Sequence, residues 1–347
     1  MHPDATAPVS VLHGPHDVRL EHRAVPAPGP DEVLVEVRAV GVCGSDVHYY
    51  EHGRIGDFVV DRPLVLGHEA SGVVVGTGER VARHALGARV AIEPGIPCRR
   101  CRACRTGHYN LCPEVRFFAT PPVDGAFARY VTVPEDFAHL IPDSLSDDAG
   151  ALLEPLSVAV WACRKAAIDV GDRVLITGAG PVGLLAAQVA AASGATDVVV
   201  SDISPVRLAL ARRLGATTTV DPSRTVDPLP EVDVLLECSG APRAVADGLA
   251  AVRPAGRAVL VGMAPEPAFP VPVQLIQNRE IALTGTFRYA NTYPTAIGLA
   301  ASGAVDLDAL VTGHFGLDEV EAALTAGRRD PSAVKSLVQP TVLVAKE

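Results

Sequence analysis

Between residues 173 and 287 the chain alternates short β-branched apolar runs with longer stretches of small residues at helical spacing. The runs at 174–177, 197–201, 217–220, 232–238, 258–261 and 281–285 read as strands, and 181–193, 205–214 and 243–252 as the helices between them. Regular strand–helix alternation of this kind predicts an α/β fold, a doubly wound parallel Rossmann sheet. Upstream, from Pro8 to about Pro155, the pattern has period two and is broken often by glycine and proline. The segments 33–40, 70–75 and 89–92 read as strands of a small β-rich domain in which helical patterns are rare. A helix over 149–166, with Asp147 or Asp148 near its start, leads out of that domain. Beyond Phe287 a helix at 294–302, a short segment at 310–315 and a helix at 318–326 are too few to close a core of their own. They are expected to pack back on the first domain, which makes the strand–helix domain an insertion at 157–287, flanked by 1–156 and 288–347.

The strand at 174–177 runs into Gly178-Ala179-Gly180-Pro181-Val182-Gly183, the spacing G-x-G-x-x-G. Gly178 serves the sharp turn, Gly180 lets backbone approach a pyrophosphate, and Gly183 allows close packing of helix on strand. The unpaired N–H groups of the helix start then face the phosphates. Three glycines alone are a weak signal, but the next strand ends in Asp202, at the distance expected of a ribose-binding carboxylate. That carboxylate accepts from both ribose hydroxyls and repels a 2′-phosphate, which favours NAD over NADP. Arg207 moderates the preference, because it suits either an adenine face or a phosphate.

The 347 residues suffice for two cores. A formal net charge of −10 argues against a nucleic-acid or membrane-surface role. The first residues lack a basic segment followed by an apolar core, and the longest apolar stretch, 182–192, is interrupted by Gln188 and falls short of the ~20 residues that span a bilayer. A soluble cytoplasmic protein is expected. In such a chain the four cysteines between 98 and 112 read as metal ligands rather than disulfides.

Three separated pieces carry further ligand types: Cys43 to His48, His68-Glu69, and Glu154-Pro155. A thiolate, an imidazole and a carboxylate with one open position make the arrangement of a catalytic zinc. Each piece alone is more often scaffold, and their joint occurrence ahead of a dinucleotide fold is what counts. With Cys-Gly-Ser-Asp-Val-His at 43–48, Gly-His-Glu at 67–69, Glu-Pro-Leu-Ser-Val at 154–158, the glycine turn at 178–183 and Phe-Arg-Tyr at 287–289, the chain resembles the zinc-containing medium-chain alcohol dehydrogenases. It is most similar to their polyol (sorbitol and xylitol) branch, from near Val9 to near Leu337. The resemblance implies a GroES-like catalytic domain around the Rossmann insertion, with Cys43, His68 and Glu69 as zinc ligands and Glu154 holding a metal-bound water. It implies a proton relay of Ser45, His48 and Glu154, with Asp46 orienting a ligand from behind. A polyol groove would be lined by Tyr49, Phe117, Thr120, Glu154, Arg288 and Tyr289. The coenzyme would meet Gly178, Gly180, Val182, Gly183, Asp202 and Arg207, with Val261, Gly262, Met263, Thr286, Phe287 and Arg288 framing the nicotinamide. Members of this family are often tetramers or dimers paired through the sheet edge, here expected near 258–263.

Cys98-x-x-Cys101-x-x-Cys104 with Cys112 supplies four thiolates in one short loop, a closed structural zinc site. Arg99, Arg100, Arg102 and Arg105 interleave as in a nucleic-acid zinc knuckle, yet no aromatic residue lies between Cys98 and Cys104. Zinc with four thiolates keeps two negative charges, which nearby guanidinium groups are expected to offset. Cys163 and Cys238 are expected to be buried free thiols. The reading that follows is a zinc- and NAD-dependent oxidation of a secondary hydroxyl of an alditol to a ketose. Two alternatives stand beside it: a dehydrogenase for another diol, amino alcohol or simple secondary alcohol, and a non-catalytic dinucleotide-binding structural or regulatory protein.

Overall fold

A computed structural model describes residues 5–225, 227–264 and 268–342. The chain divides into two compact units, one bounded by Met1–Glu154 and Leu307–Glu347, the other by Pro155–Asp306, so the second is inserted within the first.

The first unit is built on the strand Glu32–Gly41, whose valines at 33, 35, 37 and 40 are fully buried. It pairs antiparallel with Tyr130–Pro134, with Glu69–Thr77 and, at its far end, with Lys335–Gln339. The sheet continues through Arg89–Ile92 and Ala138–Leu140 on one side and Val311–Gly316 on the other. A second sheet joins Asp17–Ala24, Thr6–Gly14 and Leu64–Val65. Phe127, Val74, Ile92 and Leu324 close the core between these elements. At Gly41 the register sets Glu69 opposite on one side and Leu337 opposite on the other. Two chain segments far apart in sequence are thereby brought to one point.

The second unit is a six-stranded parallel sheet in the order Thr218–Val220, Asp197–Ser201, Arg173–Thr177, Val232–Glu237, Val252–Leu260, Ala282–Gly285. Its connecting helices Pro181–Ala192, Pro205–Arg213 and Pro242–Ala251 each open on a proline, a residue that has no N–H to leave unpaired in a first turn. The strand pattern thus forms the expected sheet, with one correction. Of the stretch 258–263, expected at the edge, 258–260 lie on a strand hydrogen-bonded on both sides, and the sheet's edges are Thr218–Val220 and Ala282–Gly285. The second unit also runs on past 287 to Asp306. Arg164 donates to the carbonyl of Asn291 at 2.8 Å and to Thr295 at 2.5 Å, and Gln188 exchanges bonds with Asp306, which holds 288–306 to this sheet. Among the described residues no helix is long and apolar enough to cross a membrane.

Candidate active site

In the first unit, one ligand atom each from Cys43, His68 and Glu69 lies within 4.8 Å of the others. Cys43 caps the helix Gly44–His52, a helix that apolar periodicity does not announce because it reads Gly-Ser-Asp-Val-His-Tyr-Tyr-Glu-His. A thiolate at that position gains from the unpaired N–H groups of the first turn. Asp46, fully buried in this turn, accepts from the Cys43 N–H at 3.0 Å through one oxygen and from the Gly67 N–H at 2.9 Å through the other. Its carboxylate also lies 3.7 Å from His68 Nδ1. One side chain therefore fixes the thiol and the imidazole together. Burial pushes the Asp46 carboxyl up, but the His68 charge and the two backbone donors outweigh it and hold it below the ordinary value. Burial likewise pushes His68 down, and the charges of Asp46 and Cys43 reverse this and raise it well above the ordinary imidazole value.

The buried Glu69 side chain lies against Gly41, where a Cβ would come within 1.9 Å of its Oε2, so only glycine at 41 leaves it room. Both its oxygens meet Lys335 Nζ, at 2.7 and 2.5 Å, and the same ammonium donates to the Val42 carbonyl at 2.9 Å. Lys335 is 2% exposed. Burial lowers its pKa, and the surrounding charges of Glu69 and Cys43, with Glu154 adding to them, raise it by more. This lysine escaped sequence reading. The available signal was a charged residue in the apolar run of Val334 to Val338, in a chain that holds three lysines in all.

The donor set suits zinc, which takes thiolate, imidazole and carboxylate at about 2.0–2.3 Å. With Lys335 offsetting Glu69, the trio keeps one formal negative charge, so a bound dication would remain electrophilic. Glu154 is buried beside Lys335 and does not join the trio. It lies in the helix Asp147–Lys165, whose next residue, Pro155, has no N–H to offer the preceding turn. Phe117 is buried with its ring 5.6 Å from that of His68, and the Thr120 N–H bonds to its carbonyl. Ser45 and His48 are half-buried and three residues apart, on one face of the helix, and Tyr49 beside them is buried.

The four thiols of the second cluster also converge, all within 4.8 Å. The Cys101 to Cys104 sulfur separation is 3.4 Å and that of Cys98 to Cys104 is 4.0 Å. These bracket the edge of about 3.8 Å of a tetrahedron with zinc–sulfur bonds of about 2.3 Å. Backbone N–H groups of Cys98, Cys101 and Cys104 point at sulfurs 3.3 to 3.5 Å away. Donors from Arg100 and Cys101 bring Cys98 down to about 7, whereas burial pushes Cys104 up to about 12. Arg99 pairs with Asp136 at 2.7 Å and Arg100 with Glu114 at 2.6 Å, and Arg100 also stays within electrostatic reach of Cys98 and Cys101, so backbone amides and a guanidinium group both face the sulfurs.

In the second unit Gly178 has φ 91°, and a Cβ on Gly183 would meet the Gly178 carbonyl at 1.9 Å. Gly180 faces open space, as an approaching ligand requires. Asp202 accepts from the Ala179 N–H at 2.7 Å and from the Ser204 N–H at 2.8 Å, which ties the acid to the glycine turn and leaves lone pairs for a ribose. Val182 and Arg207 are half-buried, and Arg207 makes no ion pair among the described residues. Val261 and Gly262 follow the strand end, Met263 is exposed, and Thr286 donates from its N–H to the Leu260 carbonyl at 2.9 Å. Arg288 has φ 53° and lies over the exposed Phe287 ring, while Tyr289 is buried against Tyr293. Cys163 and Cys238 are free thiols as expected; Cys163 is buried, and Cys238, half-buried as a residue just past the end of its strand, has a thiol that burial pushes well above the ordinary value.

Comparison with known proteins adds a family. Residues 29–143 match an alcohol dehydrogenase GroES-like domain, and 181–302 match a zinc-binding dehydrogenase domain. The chain is 45% identical over 324 residues to a sorbitol dehydrogenase of Bacillus subtilis (strain 168), covering 91% of this chain and 92% of that one. It is 44% identical over 327 residues to a probable D-xylulose reductase A of Aspergillus fumigatus, covering 90% and 91%. A zinc-binding dehydrogenase of Sinorhizobium meliloti 1021, solved bound to NADP, superposes with a TM-score of 0.90 at 33% identity, over 97% of this chain and all of that one.

Proposed function

The chain belongs to the zinc-binding medium-chain alcohol dehydrogenases, and from that premise we propose that it is a polyol dehydrogenase, oxidising a secondary hydroxyl of an alditol to a ketose with NAD as hydride acceptor. The observation that carries this reading is the trio of Cys43, His68 and Glu69, with Glu154 buried nearby and Lys335 setting its charge. When bound, zinc supplies Lewis acidity toward a hydroxyl and the nicotinamide takes up a hydride.

The side chains do the rest. Cys43, His68 and Glu69 would hold the cation, and Asp46 keeps the first two in register from behind. Glu154 is assigned to the water beside the substrate, and Ser45 and His48 to the passage of the hydroxyl proton toward solvent. Thr120 and Glu154 are assigned to the further hydroxyls of a polyol, since an unpaired buried polar group would penalise an alcohol that lacks them. Cys98, Cys101, Cys104 and Cys112 would hold a second, purely structural zinc. Asp202 selects NAD. We place the enzyme in the cytoplasm, where such a thiol loop stays reduced. We assign subunit pairing, as a homodimer or homotetramer, to the edge strand Ala282–Gly285.

A panel of sorbitol, xylitol, ribitol, galactitol, 2,3-butanediol and threonine with NAD and NADP tests the reading. Alditols with NAD are expected to give the highest kcat/KM, and turnover of the diol or threonine alone would refute the alditol assignment. Asp202→Ala is expected to raise KM for NAD about 10- to 100-fold, as two charge-assisted hydrogen bonds are removed, with kcat within about threefold of wild type. Steady-state kinetics at saturating alditol checks it.

A further inference from the structure

We infer that Glu237, which lies outside every site assigned above, is a positioning residue for the dinucleotide. The inference rests on the reading of the Gly178–Gly183 turn as a coenzyme site and adds to it the carboxylate that shapes its neighbourhood. Glu237 ends the strand Val232–Glu237, in register with Thr177 on the strand that feeds the glycine turn, and is 1% exposed. Four donors converge on its carboxylate. Thr177 Oγ1 donates at 3.2 Å, the Ser239 N–H at 2.9 Å, the Ser239 hydroxyl closely, and the Gly240 N–H to both oxygens at 3.0 and 3.1 Å. Among the described residues it has no cationic partner, so its carboxyl oxygens are met by hydrogen bonds alone. Its main-chain carbonyl accepts from the N–H groups of Val261 and Gly262, both at 2.8 Å.

The turn so held leaves no slack around it. A Cβ on Gly178 would sit 3.0 Å from Ser239, one on Gly240 would sit 2.1 Å from the Met263 carbonyl oxygen, and one on Gly262 would sit 2.2 Å from the Gly240 nitrogen. Backbone rests on backbone from the phosphate turn, through Ser239 and Gly240, to the segment assigned to the nicotinamide. A shift of the middle piece must move both neighbours, because close-packed backbone has no side chains to absorb it. Glu237 therefore acts on the coenzyme through Ser239 and Gly240.

Glu237→Gln keeps the size but turns an amide NH2 into a ring of donors. NADH fluorescence titration is expected to show a Kd raised about 10-fold or more, with KM for NAD rising further than kcat falls and both zinc ions retained. Leu249→Ala, in the apolar core of the same sheet, is the control. It is expected to lower the melting temperature while leaving the NADH Kd within about twofold. A wild-type Kd in Glu237→Gln, or an equal weakening in Leu249→Ala, overturns the inference. Should Glu237→Gln fail to fold, Ser239→Ala removes one donor and is expected to raise the Kd about 3- to 5-fold, and no change there overturns it too. Wild-type protein that binds no NADH would instead refute the dinucleotide reading itself.

Discussion

Cys43→Ala is expected to lower alditol turnover about 10³- to 10⁵-fold and to reduce bound zinc from two per chain to one. The thiolate is the strongest donor of its trio, and its loss leaves an imidazole and a carboxylate that is already engaged by Lys335. A Lewis acid is worth several kcal/mol to a reaction that must ionise an alcohol, and each 1.36 kcal/mol is about tenfold in rate. The sulfur loop is built from different residues, so its zinc stays. Metal analysis by plasma emission alongside kcat measures both. Retained turnover with one zinc lost would show that the reaction does not run at Cys43, and two zinc ions retained would show that Cys43 is not a ligand.

In the zinc-free protein, Lys335→Met is expected to destabilise the first unit by about 3–5 kcal/mol, because it strands the buried Glu69 carboxylate without its counter-ion. For a unit of this size that is on the order of 10 °C in melting temperature. The double variant Lys335→Met with Glu69→Gln is expected to recover most of the loss while remaining inactive, since it removes the stranded charge and the ligand together. Calorimetry of the four proteins measures the coupling, and simple additivity would show that the pair is not one unit. The wild-type pair should be insensitive to pH near neutrality. A lysine pKa raised above the ordinary 10.5 contributes stability that is complete below that value and is lost only as pH rises through the raised one.

The two sites were legible in the sequence to different degrees. The sulfur loop was fully so, because its four ligands fall within fifteen residues and local spacing decides whether they can meet. Of the other site the three ligand types were visible, but only as fragments, and the helix that carries Ser45, Asp46 and His48 was not seen. Its residues lack an aliphatic stripe: the face it buries is Asp46, Tyr49 and Tyr50, and its start is fixed by Asp46 on the Cys43 N–H. Lys335 and Glu237 were missed for a related reason. Each is an isolated charged residue at the margin of an apolar strand, and what distinguishes it is a set of partners the local pattern does not name.

Local chemistry along the chain determined the parallel sheet, its proline-led helices, the glycine turn with its following acid, and the four-thiol loop, since each depends on residues within a few tens of positions. Tertiary structure alone decided what Glu69 faces. The register at Gly41 draws Lys335 from 266 residues away onto both oxygens of that carboxylate, and pairing over such a separation is set by how sheets close around a core.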